Sequence, residues 1–451
     1  MNTKSNIRLC QTAEYKTYEC NRKCLDDGNF CLFHHKNFKL NEDRIREEFE
    51  KELDQVIILG GTLEFIGCKI PSITLREKEY DNISIFFNFA EFRGSVKFID
   101  VKFKAMDFSH ARFSEGMYGK KLDVANSFRF NNVKCKDEIS ELKFENCSLS
   151  ENDFIGGNFK SLKFIDCELK NTNFQATQFV ELRVQNCTFV GKTNFSECVF
   201  STIAEFRNAD FKEQHLINFG EDLSKVSFVD TDITRIKFNE FTSWDENHGY
   251  TIFDERKFFA DPDKHKLSVA LTVYRNLREN YEFRLMYEEA GKFFIGEMNL
   301  RRKYIGYIKN DDNTKYRRRH GCVILSKCYS ILAKSRRRHG YVILSKCYSI
   351  LANYGESLHR IFLWTLGISV LTIIFFYIEL DSCMIDEMMS GNANVVFDSN
   401  KLFMALNRYF ALFSYTNEFN LTDHFFRLLL IPILGIWFIT LRRKFERRFR
   451  H

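Results

Sequence analysis

The sequence predicts a four-sided parallel β-solenoid, followed by helices and a two-helix membrane hairpin. Three observations predict it. From Leu149 a large apolar residue recurs at every fifth position, through Phe154, Phe159, Phe164, Leu169, Phe174, Phe179, Val184 and Phe189. Two residues before these positions lie small or apolar residues that repeat with a period of twenty, as in Cys147, Cys167 and Cys187, or Leu142, Leu162 and Leu182. Near the C-terminus two apolar runs follow, 361–378 and 425–441. Neither the helical period of 3.6 nor the strand period of 2 gives a stride of five. A coil of four five-residue sides gives both five and twenty, which makes this part of the chain a stacked repeat structure.

Composition agrees. The 451 residues include 49 Phe and only 3 Pro, as a Phe-filled interior would require. Net charge is +6 but is unevenly spread. The region 57–244 holds 24 Lys and Arg against 27 Asp and Glu, whereas 301–360 holds 15 basic residues against 3 acidic. A general nucleic-acid binder is thereby disfavoured. Of the 14 cysteines, Cys68, Cys147, Cys167, Cys187 and Cys198 fall at inward repeat positions, where a small buried thiol is expected. The opening MNTKSNIRLC has no apolar core, so no cleavable signal is expected and the N-terminal part is placed on a reducing, cytoplasmic side.

Taken in order, residues 1–38 are a Cys/His-rich segment and 39–56 a charged helix. Repeats fill 57–244, with occasional six-residue steps that imply one-residue bulges at corners. Roughly nine coils at ~4.8 Å would make a rod of about 45 Å. Residues 264–305 are helical, with Leu271, Tyr274, Leu277, Tyr281 and Leu285 at three- and four-residue steps. Residues 317–354 contain a tandem duplication with 16 of 19 positions identical, basic at one end of each copy, suited to an anionic membrane surface or to packing on a neighbour. The runs 361–378 and 425–441 are each nearly long enough to cross a ~30 Å hydrocarbon core. The tail 442–451 is basic, and the loop 379–424 has seven acidic and two basic residues. The positive-inside rule then predicts a two-pass protein with both termini cytoplasmic and 379–424 extracytoplasmic.

The stride, the inward Phe and segments such as KVSFVDTDITRIKF (225–238) and NTNFQATQF resemble the pentapeptide-repeat family. The resemblance implies an all-β, right-handed quadrilateral parallel β-helix. Leu162 and Leu182 stand where that family usually has a small residue, which implies a swollen coil. The chain also resembles a membrane-bound, mainly archaeal subset. That subset has a Cys/His segment ahead of the repeats, a helical stretch like YRNLRENYEFRLMYEEAGKFFIGEM (274–298), and two membrane helices. In some members the hairpin resembles a potassium-channel pore module, and here 405–419, ALNRYFALFSYTNEF, begins like a pore helix. It lacks a Thr-x-Gly-Tyr-Gly run, and no glycine occurs between 392 and 434, so a selective filter of inward carbonyls is not expected. A degenerate pore or a plain anchor is.

One segment carries metal chemistry. YECNRKCLDDGNFCLFHH offers Cys20, Cys24, Cys31 and His34 or His35, with Cys10 as a replacement. Thiolates and imidazole suit tetrahedral zinc, and a short segment without its own core gains a staple from it. The competing reading is a set of reduced thiols. The site would be structural and closed. Catalytic motifs are not found: no Gly-x-Ser-x-Gly, no phosphate loop and no His-Glu-x2-His. Glu288 and Glu289 read as helix-surface charges. The sequence thus points to a non-catalytic, membrane-tethered scaffold or binding protein, with the lipid bilayer, an unidentified protein and copies of itself as partners. The alternative is a channel-like protein with a degenerate pore. A DNA-mimic inhibitor of a topoisomerase is the remote third, since it needs a strongly acidic rod.

Overall fold

The structure is a computed structural model. It describes residues 9–10, 20–23, 30–34, 42–135, 141–239, 241–245, 249–318, 346, 348–379, 399–412 and 421–449. The chain divides into two units, Met1–Leu285 and Met286–His451.

In the first unit, parallel strands from Gly61–Glu64 to Val226–Val229 join into one sheet that winds as a β-solenoid of about seven turns. Each strand pairs with the one a turn later. Leu142 faces Leu162 and then Leu182, and Leu149 faces Leu169 and then Phe189. Two expectations are corrected. The solenoid begins at Gly61 and not at Ile57, because helix α1 (Glu42–Leu59) continues through that residue. The turns number about seven and not nine, because few coils are as short as twenty residues. Phe154 to Phe174 is a step of twenty, whereas Phe130 to Phe154 is a step of twenty-four. Register shifts beside Tyr80, Phe103 and Lys170 absorb extra residues as bulges.

The interior is built of columns, because in-register parallel strands set each side chain above its equivalent one turn away. The longest column is Phe65, Phe87, Phe108, Phe130, Phe154, Phe174, Phe195 and Phe219. Successive ring centroids lie 5.6, 5.1, 4.7, 5.4, 5.0, 4.8 and 5.0 Å apart, with interplanar angles of 27° or less. Strand spacing is ~4.8 Å, so the backbone itself sets rings at a stacking distance. The Cys column is buried too, its thiols donating to carbonyls: Cys147 to Glu145 O (3.3 Å), Cys167 to Ile165 O (3.2 Å) and Cys187 to Gln185 O (3.2 Å). Leu142, Leu162 and Leu182 are fully buried, so the coil accepts the larger residue.

Corners need left-handed backbone. One corner column is Asn146, Asp166, Asn186, Asn208 and Asp230, all at φ between 49° and 54°. Asn and Asp tolerate this conformation best among residues with a side chain. They also tie the turns together: Asn186 Nδ2 donates to Asp166 Oδ1 (2.9 Å) and Asn208 Nδ2 to Asn186 Oδ1 (3.1 Å). At another corner Gly156 has φ +65°, and a Cβ there would sit 2.6 Å from Asn132 Oδ1, so only glycine fits without a shift.

Both ends of the stack are closed. At the first turn, Phe33 and Phe49 of α1 lie 5.4 and 4.8 Å from Phe65. At the last, Trp244 meets Phe238 at 5.0 Å, and its indole N–H donates to Tyr281 OH (3.3 Å). Helices α2 (Phe253–Ala260) and α3 (Lys264–Phe283) supply donors to carbonyls of the final coil. Asn280 Nδ2 reaches Ile233 O (2.8 Å) and Ile236 O (2.7 Å), Asn276 reaches Thr231 O (3.3 Å), and Arg284 reaches Phe238 O (2.7 Å). Arg256 donates to Ser224 O. Asp254 is buried under α2, accepting from Ser227 Oγ (2.5 Å) and Phe228 N (3.4 Å). Burial holds its carboxyl above the usual carboxylate range, although Ser227 and Lys257 oppose this.

In the second unit, α4 (Tyr287–Arg318) carries Asn299, whose Oδ1 accepts from Tyr354 OH (3.2 Å). Helix α5 (Leu358–Glu379) packs against both α6 (Ser399–Ala411) and α7 (Leu421–Phe449). Leu358–Glu379 and Asp423–Arg442 are long and apolar enough to cross a membrane, with mean hydropathies of 2.3 and 1.9. Only 17% and 19% of these spans is buried, so neither is the enclosed core of this unit. Phe376, Ala405, Leu412 and Leu430 form a small buried cluster, with Tyr409 and Phe426 against it. The expected helical segment 264–305 is in fact two helices, broken at 284–286. Most of the duplication, 319–345, and the second half of the pore-like segment, 413–420, lie outside the described residues.

Two outcomes follow for the solenoid. Phe154→Ala removes a ring from the middle of the column and should destabilise the first unit by about 3–5 kcal/mol in urea unfolding followed by circular dichroism. Asp254→Asn tests the buried carboxyl. A raised folded-state pKa gives stability that is present at low pH and lost as pH rises through it. The stability of Asp254→Asn relative to wild type should therefore improve as pH rises above the ordinary carboxylate range of about 4, read by circular dichroism during unfolding. A gap independent of pH would show Asp254 titrating normally.

Candidate metal centre

The Cys/His segment is held against the first solenoid turn. Strand Cys20–Lys23 pairs antiparallel with Leu9–Cys10, with Cys10 opposite Cys20. Alternation along the strand puts Cys20 and Arg22 on one side. The 3-10 turn Leu32–His34 follows Cys31, and its i,i+3 eclipse brings residues 31 and 34 together. His34 N donates to Cys31 O (3.1 Å), closing that turn.

Three of the expected ligands therefore meet. Cys20 Sγ lies 3.9 Å from Cys31 Sγ, and Cys31 Sγ lies 3.1 Å from His34 Nδ1. All three ligand atoms fall within 4.8 Å of one another. The two cysteines are buried and His34 is half-buried. The other two candidates, Cys24 and His35, lie outside the described residues. The Cys20 thiol is pulled below the usual thiol range. The Cys31 thiol beside it is the main cause, outweighing the opposing effect of burial, and His34 and the Arg22 backbone N–H add to it.

The surroundings were not legible as part of the site. His34 Nε2 is 3.0 Å from Ile66 O, a carbonyl of the first solenoid turn. An Nε2–H donated there leaves the unprotonated Nδ1 facing the two sulfurs, the arrangement by which outer contacts set a ligating imidazole. Cys68 Sγ, read in the sequence only as interior filler, lies 3.8 Å from the same Nε2. Arg22 binds Glu52 of α1 through two bonds of 2.7 and 2.6 Å and donates to Glu64 O (2.8 Å). Its guanidinium lies 4.9 Å from both the Phe33 and Phe65 ring centroids. One residue thus joins the Cys/His segment, α1 and the end of the Phe column. The only earlier signal was the alternation of Cys20 with Arg22, which says nothing about the distant Glu52. Two soft thiolates and an imidazole are a donor set suited to zinc.

No family model matches the chain, and no curated protein matches it. Among solved structures it is similar to HetL, a pentapeptide-repeat protein involved in heterocyst differentiation regulation from the cyanobacterium Nostoc sp. strain PCC 7120. That match has 10% identity and a TM-score of 0.15, and covers 41% of this chain and 92% of that one. It is also similar to QnrB1, a plasmid-mediated fluoroquinolone resistance protein, at 16% identity and a TM-score of 0.15, over 40% of this chain and 90% of that one. Both are pentapeptide-repeat proteins. At these scores the solenoid assignment stands on the registers and columns above, and the likenesses add no functional argument.

Zinc bound by this group would be tight and cysteine-dependent. Purified protein should carry metal by elemental mass spectrometry, Cys31→Ser should lose it, and Cys187→Ser should retain it. A metal content unaffected by Cys31→Ser would leave the group as plain thiols.

Proposed function

We propose that this chain is a non-catalytic scaffold held at the cytoplasmic face of a membrane, its solenoid presenting a protein-binding surface and its hairpin serving as the anchor. The observation that carries the reading is the pair of apolar helices whose surfaces remain largely uncovered within their own unit. Lipid is the solvent that suits such surfaces. Basic residues at 317–319, 336–338 and 442–444 against the acidic 379–424 support both termini being cytoplasmic. Zinc on Cys20, Cys31 and His34, with Cys24 or His35 completing it, would fasten the N-terminal cap, a structural role.

The solenoid wall supports protein binding over DNA mimicry. Along one face, outward charges alternate in sign and pair: Lys143 with Glu145 (2.5 Å), Lys163 with Glu141 (2.6 Å), Arg183 with Glu181 (2.6 Å) and Arg207 with Glu205 (2.9 Å). A duplex mimic needs uncompensated negative charge, and this face has little. The polar groups near α2 suit a structural role. The Ser227–Asp254 and Tyr274–Glu255 contacts are closed to solvent and seat the helix.

One observation favours the channel-like alternative. Tyr409 OH of α6 lies 2.6 Å from Ser369 Oγ, midway along α5, so α6 sits beside the span instead of beyond its end. Two measurements separate the readings. After carbonate extraction the protein should remain with the membrane pellet; release into the supernatant would end the tether. Reconstituted liposomes should show no ion flux above empty vesicles, and flux above that baseline would select the channel.

A further inference from the structure

Helix α6 is fastened at two depths of the hairpin. Arg408 binds Glu379, the last residue of α5, at 3.0 Å and Asp423, near the start of α7, at 2.8 Å. The next residue, Tyr409, binds Ser369, ten residues earlier on α5. Ten residues of helix span ~15 Å, about half of a ~30 Å hydrocarbon layer. With the hairpin in a bilayer, α6 lies within that layer and not in the water above it.

One stripe of α6, Ala405, Tyr409 and Leu412, is used against α5 and α7. Another stripe carries Phe403, Asn407 and Phe410, spaced i, i+4 and i+7 so that they share one face. The two rings are 64% and 65% exposed. Asn407 is exposed, and its side chain makes no hydrogen bond among the described residues. Lipid tails suit the rings but not a primary amide, which carries two donors and an acceptor that hydrocarbon cannot satisfy. A second amide satisfies them: each Asn offers an N–H to the other's carbonyl, and a two-fold axis sets like residue against like.

We propose that two copies of this chain associate in the membrane through the Phe403–Asn407–Phe410 face of α6, with Asn407 paired across the interface. The proposal rests on the hairpin being membrane-embedded. The face is self-complementary in chemistry, apolar at its flanks and polar at its centre, which is why a second copy fits it better than lipid does.

The test uses the full-length protein in phosphatidylcholine vesicles, with energy transfer between donor- and acceptor-labelled copies. Wild type should show transfer that falls on dilution with lipid, Asn407→Gln should keep it, and Asn407→Leu should lose it while retaining its circular dichroism. Independently of whether Asn407→Leu folds, Asn407→Cys should cross-link between copies with a short bis-maleimide, above the wild-type background, whereas Phe438→Cys on α7 should not. A wild type without transfer, transfer unchanged in Asn407→Leu, or no added cross-linking at Cys-substituted position 407 would each overturn the proposal. Carbonate release of the wild type would instead overturn the membrane reading beneath it.

Discussion

The first unit depends on one geometric coincidence: parallel strands repeat at nearly the distance at which flat aromatic rings stack. Once the chain turns a corner every five residues, a Phe at one side's centre must lie over the Phe of the turn below. The eight-ring column from Phe65 to Phe219 is the result. Each ring buries a large apolar area and gains a face from two neighbours, so no single turn is stable alone and the stack is stabilised through adjacent turns. The corner Asn and Asp residues and the bulges adjust this constraint. They let coils of twenty to twenty-four residues share one register.

The same constraint explains why the candidate metal centre stands where it does. A column of rings has two open faces, and the lower one needs a cover. Phe33 and Phe49 supply the cover, and Arg22 fixes it by bridging Glu52, Glu64 O and two rings. The Cys20, Cys31 and His34 group sits in this joint and contacts the solenoid through Ile66 O. Its position is that of a fastener for the cover, not of a reaction centre facing solvent.

How much of this could be read from the residues alone follows from how local each signal was. The columns were legible because the repeat writes them directly into spacing. Leu149, Phe154, Phe159 and Phe164 all point inward, as expected. The number of turns was not legible, since long corners hide within segments whose stride looks irregular. Polar residues also entered the interior unannounced. Asn152, Thr172 and Thr193 occupy one buried column, with Asn152 Nδ2 bound to Thr172 Oγ1 at 3.0 Å. At the metal centre the ligand types were legible from composition, but Arg22, Glu52 and Cys68 were not. Their roles depend on contacts across thirty or more residues that no spacing rule encodes.

A spiral of in-register parallel rungs with stacked identical side chains has the internal geometry of an amyloid protofilament. What separates the two is the last rung. In a fibril its carbonyls recruit another chain; here Asn280, Asn276 and Arg284 occupy those of Thr231, Ile233, Ile236 and Phe238. A few side-chain amides and a guanidinium thus occupy acceptors that a further rung would otherwise use, so the end of the spiral is blunted by the helix that follows it.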